Sequence, residues 1–298
     1  MKDLNKILKI LNKISKDSKK FYYLENDKIL FVSKNDNNYC VISSDLELTE
    51  EITKFLDYYE FKQESEQIPE FESSLFIEQN DLKSTLKRVL PACSKDETRK
   101  FLQTCKLEIT NNNFRLIATD GYRIHIDEFY CDSKMERELV IDKKILNIIK
   151  TTCKKGNLEI KFLKNNFVEF KIDGISFICP DQTDNNFLEY KKIMPDYNKF
   201  IEIDRNDFFE ALKKIVMDTI VLEIKENLII SDEILKLEVP ILNGDSNHLK
   251  IGICKKFLMD VIKNLKDNKI KIEFTNGVTP ITIIQDNFYS VIGPRRID

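Results

Sequence analysis

The chain has 298 residues, 42% of them apolar, with 20 Phe, 33% charged and a net charge of −3. That length allows two or three domains and that apolar content fills real cores, which excludes a disordered chain. No apolar run approaches the roughly 18 residues of a membrane span, so the expectation is a cytoplasmic protein without membrane contact.

From the N-terminus, residues 3 to 16 read as a helix inside a stretch with seven Lys in its first 20 residues. FYYL, KILFVS and NYCVIS follow as β-type runs. From Asp45 to Glu72 the chain turns acidic, with ten carboxylates against Lys54 and Lys62. Residues 62 to 74 of it read as a linker, and 45 to 60 leave open a second short helix. Residues 1 to 72 are thus expected to be a reduced half domain plus an acidic linker.

Beyond it one grammar recurs four times: an apolar pair, a polar start, then an amphipathic helix. The copies are FIEQNDLKSTLKRVL from Phe76, VIDKKILNIIKTTC from Val140, EIDRNDFFEALKKIV from Glu202 and GICKKFLMDVIKNL from Gly252, with Ile77, Ile141, Ile203 and Ile253 at the pivot. Asp142 and Asp204 stand where orphan helix amides need an acceptor. After each helix come two or three β-type runs, such as KLEIT, FRLIAT and YRIHIDEFY, punctuated by turns like Asp173-Gly174. Strand, helix and meander repeated in this way predict an α+β fold with helices on one face of antiparallel sheets. Two such domains, 73 to 198 and 199 to 298, are expected. Within the first, IATDGYRIHI (117 to 126) reads as a tight hairpin in which Asp120 and Gly121 take positive φ.

Charge is sorted by element. The five predicted helices carry net +5 (1 to 20), +2 (81 to 93), +4 (142 to 155), +1 (205 to 216) and +3 (255 to 269), so the remainder of the chain is strongly acidic. On the helix from Asp142, Ile145, Leu146, Ile149 and Cys153 share one side and Lys143, Lys150 and Lys154 the other. Helix-borne cations meet duplex phosphates by charge without reading bases, and an acidic remainder discourages binding elsewhere. The expected DNA-facing residues are Lys6, Lys9, Lys13, Lys83, Lys87, Arg88, Lys143, Lys150, Lys154, Lys213, Lys214, Lys263 and Lys266.

SKDETRKFL (94 to 102), IATDGYRI (117 to 124), IMPDY (193 to 197) and the tail VIGPRRI (291 to 297) stand in the order and spacing of the bacterial sliding clamp, the beta subunit of DNA polymerase III. The chain resembles that family over roughly 73 to 298, with a shortened first domain. The resemblance implies a DNA-encircling ring that acts as a non-catalytic processivity factor in replication, with helices lining the hole. It implies as partners double-stranded DNA, further copies of the chain, and polymerase and clamp-loader subunits bound through short linear motifs. The matching pocket positions are Leu102, Thr119, Gly121, Tyr122, Arg123, Ile124, Pro195, Lys199, Phe200, Pro280, Val291, Gly293, Pro294, Arg295 and Arg296. An apolar cleft there would take anchor side chains while Arg123 and Arg296 met acidic groups. Gly293 and Arg295 replace the family's frequent Met residues, Tyr122 a frequent His, and Asp298 extends the end. The family closes as a dimer of three-domain chains. If closure takes twelve helices, five per chain leave dimer and trimer both open.

Rival readings are weaker. The seven Cys (40, 93, 105, 131, 153, 179, 254) show no CxxC and read as reduced core residues, with no metal or cofactor expected. No P-loop or GxGxxG is present, and His125 and His248 lack a triad companion. Asp204 and Asp207 could serve a metal-dependent nuclease, but they fall at a helix cap. The main alternative is a clamp-like interaction protein that forms no ring and competes for clamp partners. A generic DNA-binding protein would instead bind short linear duplexes tightly.

Overall fold

The computed structural model describes residues 2–14, 18–25, 28–35, 38–44, 46, 48–63, 69–183, 187–245 and 249–297. His248 and Asp298 therefore lie outside the described residues. The first part holds α1 (Lys2–Leu11), β1 (Lys19–Glu25), β2 (Lys28–Asn35), β3 (Asn38–Ser44), α2 (Glu50–Tyr58) and a two-residue β4 (Lys62–Gln63). The middle holds β5 (Phe71–Glu78), α3 (Gln79–Val89), β6 (Thr104–Thr110), β7 (Asn113–Thr119), β8 (Arg123–Tyr130), β9 (Arg137–Asp142), α4 (Lys143–Thr152), β10 (Asn157–Leu163), β11 (Phe167–Ile172) and β12 (Ile175–Pro180). The last part repeats the plan with β13 (Lys199–Asp204), α5 (Arg205–Lys214), β14 (Thr219–Ile224), β15 (Asn227–Ser231), β16 (Lys236–Gly244), β17 (Leu249–Cys254), α6 (Lys255–Ile262), β18 (Lys269–Phe274), β19 (Ile281–Gln285) and β20 (Phe288–Ile292).

The four repeated segments each begin as a strand that runs into a helix, and all four pivotal Ile residues are buried. Asp142 accepts the Lys144 N–H at 2.6 Å, and Asp204 accepts those of Asn206 and Asp207 at 2.7 and 3.0 Å. Both are N-caps, as their positions predicted. α1 stops at Leu11, short of the expected residue 16.

The acidic stretch contains a helix, the second of the two readings left open for 45 to 60. Thr49 caps α2 by accepting the Ile52 N–H at 3.4 Å, Glu50 and Glu51 complement its N-terminus, and Ile52, Phe55 and Leu56 are buried on one side. The chain thus has six α-helices among the described residues, not five. Because α2 carries Glu50, Glu51 and Asp57 against Lys54, the rule that helices are basic fails here. The expected linker 62 to 74 is part strand, since β4 and the start of β5 occupy its two ends.

By compactness the chain divides into two units, one of residues 1–86, 108–113 and 130–185 and the other of 87–107, 114–129 and 186–298. The first unit holds an eight-stranded sheet ordered β4-β1-β2-β3-β12-β11-β10-β5, antiparallel throughout except where β4 joins β1. Its middle join is the β3–β12 ladder, Ile175 opposite Ile42 through Ile178 opposite Tyr39, with Phe21, Val32, Val41, Leu163 and Ile178 packed on one face. The second unit holds the run β17-β14-β15-β16-β13-β18-β19-β20-β8-β7-β6. There β20 pairs with β8 from Phe288 opposite Asp127 to Ile292 opposite Arg123. α5 and α6 close over a core that includes Ile203, Phe208, Leu212, Leu258, Val261 and Phe274. All seven cysteines are buried free thiols.

Candidate partner-binding site and basic helices

The β7–β8 turn departs from expectation in one respect. Gly121 alone is left-handed, at φ +90°, and Asp120 is not. Asp120 instead builds the turn with its side chain: Oδ1 accepts the N–H groups of Tyr122 at 3.0 Å and Arg123 at 3.1 Å, the usual way an Asp reproduces a turn. Thr119 finishes it, donating its hydroxyl to the Arg123 carbonyl at 2.7 Å and accepting the Gly121 N–H at 3.0 Å.

This turn meets the C-terminal tail. Ile124 lies opposite Val291 in the β8–β20 ladder, and the Gly293 N–H donates to the Tyr122 carbonyl at 2.9 Å. A Cβ on Gly293 would come within 3.1 Å of that carbonyl, so glycine is what admits the close approach. Ile117, Ile124, Ile126, Tyr190 and Val291 pack together, with Met194 against them. Leu102 is buried near the place a Gly121 side chain would occupy. The tail then crosses to β17, where the Arg295 N–H donates to the Gly252 carbonyl at 2.7 Å and its guanidinium to Thr219 at 2.9 Å. Arg296 is exposed and Pro294 half-buried.

The remaining pocket positions join through β19. Pro280 immediately precedes it, and Thr282 lies opposite Val291 and is hydrogen-bonded to Tyr197, two residues after Pro195. Lys199 and Phe200 sit on β13 opposite Phe274 and Glu273, and Lys271 lies 4.6 Å over the Phe200 ring. The candidate residues that lie on strands, on β7, β8, β13 and β20, belong to one sheet.

Arg123 is bonded within the fold at the edge of a cleft. Its side chain is 5% exposed: Nε donates to Asp120 at 3.1 Å, Nη1 to Asp260 at 3.0 Å and Nη2 to the Pro91 carbonyl at 2.5 Å. The guanidinium also stacks 4.3 Å over Phe257. All three of its nitrogens donate to groups inside the protein, which ties the turn to α6. Arg123, Asp120 and Asp260 help line a cleft of about 270 Å³ together with Lys95, Arg99, Tyr122, Lys256 and Phe257. Its exposed basic residues are Lys95, Arg99 and Lys256, none of them among the expected pocket positions. SKDETRKFL was the available signal for Arg99, while nothing local marks Lys256.

Among the basic residues the structure separates free heads from committed ones. Lys6, Lys9, Lys87, Lys154, Lys214 and Lys266 are exposed. Arg88 forms an ion pair with Asp127 at 2.6 Å, and the half-buried Lys13 donates to Thr152 at 2.8 Å, its pKa lowered chiefly by burial. Lys83 donates to the Cys153 carbonyl, Lys150 to Asn147, and Lys213 and Lys263 to Glu210 and Asp260. Lys143 is half-buried on the first turn of α4.

His125 is wholly buried on β8 with Nδ1 2.8 Å from the Arg88 carbonyl. Burial first, and the charge of Arg123 second, push its pKa down to about 3, so it is a neutral structural imidazole. Burial likewise raises the Cys40 thiol to about 12 and Cys153 to about 11, which keeps them unreactive. Among the described residues no cluster of His, Cys, Asp or Glu could hold a metal, and no helix is long and apolar enough to cross a membrane.

Residues 76–182 match the family described as DNA polymerase III beta subunit, central domain. In solved structures the same architecture runs end to end. The DNA polymerase III subunit beta of Borrelia burgdorferi aligns at a TM-score of 0.84 with 16% identity, covering 100% of this chain and 98% of that one. The fold is that of the bacterial sliding clamp. The Bacillus subtilis sliding clamp aligns at 0.82 with 16% identity over 99% and 98% of the two chains. In sequence, the beta sliding clamp of Staphylococcus epidermidis is 23% identical over 218 residues, 68% of this chain and 58% of that protein. That of Rickettsia bellii is 25% identical over 224 residues, 64% of this chain and 57% of its own length. The chain thus spans under two thirds of the curated relatives it matches.

Proposed function

We propose that this chain is a DNA sliding clamp, a ring-forming processivity factor that encircles duplex DNA without reading its sequence. In this reading it tethers a polymerase and its loader through short peptides bound beside the β7–β8 turn, and it performs no catalysis. The end-to-end match of its fold to sliding clamps carries the reading. With six helices among the described residues of each chain, two copies supply the twelve that ring closure was expected to take, which favours a dimer over a trimer. The peptide cleft lies along the Tyr122–Gly293 contact and the Ile124–Val291 pair, with Arg296 as its free cation.

Retention tests the reading. Once loaded, the protein should stay on nicked circular DNA and leave the same DNA rapidly after linearisation, and Lys143→Glu with Lys154→Glu should shorten retention. Equal dissociation from both forms would reject encirclement. The shortness of the chain after α2, where β4 has only two residues, favours one rival, a clamp-like protein that binds partner peptides without forming a ring. That rival predicts peptide binding by a monomer at every concentration.

A further inference from the structure

Part of the positive charge at the N-terminus does not lie on a helix. α1 ends at Leu11, and Lys19 and Lys20 open β1 instead. The strands on either side of β1 bring further cations to the same end of the sheet. Lys19 stands opposite Lys34 in the antiparallel ladder with β2, and Phe21 stands opposite Lys62 in the parallel pairing with β4. Like charges directly opposite each other on a sheet are destabilising. Lys34 lies 4.9 Å over the Tyr39 ring, which eases its share. Among the described residues Lys19, Lys20 and Lys62 form no ion pair and no side-chain hydrogen bond.

These three lysines line one pocket of about 390 Å³, which lies wholly within the first unit. Ser18, Phe21 and Tyr59 complete its lining with Glu60. Ser18 is buried and fixed by a 2.6 Å hydrogen bond from the Ser33 hydroxyl, and Phe21 is buried beside it. The end of α2 supplies the other wall. There the Glu60 N–H donates to the Asp57 carbonyl at 3.1 Å and the Phe61 N–H to the Leu56 carbonyl at 2.9 Å, a helix-ending turn that holds Glu60 at φ +57°. Glu60 is the one carboxylate of the lining, and no ion pair joins it to the lysines. Three ammonium groups against one carboxylate leave an uncompensated positive charge in a concave site, on a chain whose net charge is −3. Such a site concentrates anions, and its volume suits a small ligand.

We propose that this pocket binds a small polyphosphate anion, with Lys19, Lys20 and Lys62 donating to its phosphate oxygens. Lysine meets phosphate as a point charge with rotatable donors, so ammonium groups from two strands can share one multiply charged ligand. The bound anion offsets the repulsion that the β1–β2 and β1–β4 pairings build up, and binding therefore stabilises the first unit. Glu60 opposes the anion, which gives the site a test of sign. The pocket draws on neither the ring nor the partner-peptide cleft, and it stands or falls apart from the clamp reading.

Isothermal titration of the full chain with inorganic tripolyphosphate, at matched ionic strength and without divalent cations, tests it. One anion should bind per chain. Lys19→Ala and Lys62→Ala, both at exposed positions, should each weaken it by about fivefold. Glu60→Gln should tighten it by about threefold. Lys28→Ala, at the opposite end of the β1–β2 hairpin, should leave the affinity unchanged. Tripolyphosphate should also raise the urea midpoint of the wild type more than that of Lys19→Ala. Absence of binding, or binding that the Lys19 and Lys62 variants leave unaltered, would overturn the site, and so would weaker binding by Glu60→Gln. A single-stranded oligonucleotide that binds through Lys19 and Lys62 where tripolyphosphate does not would likewise reject it, showing a nucleic-acid surface in place of a small-anion pocket.

Discussion

Replacing Arg123 by Ala separates a structural pin from a peptide ligand. The substitution removes three donated bonds and a ring contact and takes a cation from Asp120 and Asp260, whose side chains are 16% and 17% exposed, leaving Asp120 with its backbone N–H donors and Asp260 with Lys263 at 3.0 Å. Breaking a buried ion pair from one side costs about 3–5 kcal/mol. The partial exposure of both carboxylates lets water reach them, so a loss of about 3 kcal/mol is expected after that discount. With a urea slope of about 2 kcal/mol per M, the unfolding midpoint of the affected unit should fall by about 1.5 M. Far-UV circular dichroism follows the transition, alongside Tyr signals, since the chain has no Trp. Arg296→Ala, on the exposed tail, should leave the midpoint unchanged and weaken a partner peptide. Adding Asp260→Asn to Arg123→Ala should recover part of the loss, because one partly buried carboxylate that has lost Arg123 is gone. A midpoint shift under about 0.3 M, with peptide affinity lost, would refute the pin and restore Arg123 to the peptide.

Three further outcomes are expected. Gly252→Ala should free the C-terminal tail, since a Cβ there would meet the Arg295 carbonyl and the Ile297 side chain at 2.6 Å; faster proteolysis of the tail with an unchanged core checks it. His125 has a folded pKa of about 3 against an ordinary 6.5, so its contribution is whole above pH 6.5 and is lost as pH falls through that window; His125→Gln should flatten this acid dependence of the urea midpoint between pH 6.5 and 4. Asp204→Ala should lower stability by about 1 kcal/mol by removing a cap, and retention on circular DNA should be unaffected.

The hairpin at 117 to 126 was legible because period-two apolar residues flank a glycine the turn needs, and that signal is local. The four strand-to-helix segments were legible for the same reason, each an apolar pair followed by an amphipathic helix. α2 was harder. Ile52, Phe55 and Leu56 have helical spacing, but ten carboxylates in the surrounding stretch gave it the composition of a solvated linker. Arg123 could be picked out but not interpreted. Its decisive partner, Asp260, lies 137 residues away, and no pattern near either residue announces the pair. A charged residue in a signature motif reads alike in sequence whether it faces a ligand or is consumed by the fold.

The same ambiguity affects the basic helices, and neighbouring residues on α3 resolve it. Arg88 and Lys87 count equally toward a positive helix, yet Arg88 is 18% exposed and bound to Asp127, itself 1% exposed, while Lys87 is exposed. Arg88→Ala leaves a carboxylate beneath the surface without its main counter-charge, for an expected cost of about 3 kcal/mol. Lys87→Ala should alter stability by less than about 0.5 kcal/mol. If α3 faces duplex DNA, the order reverses for binding: Lys87→Ala lowers the salt-dependence slope of association by about one, as loss of one phosphate contact requires. Arg88→Ala, measured where it remains folded, leaves that slope unchanged. Equal effects of the two variants on the slope would mean that the Arg88–Asp127 pair opens to DNA, and net helix charge would then be a sound guide to the DNA-facing surface after all.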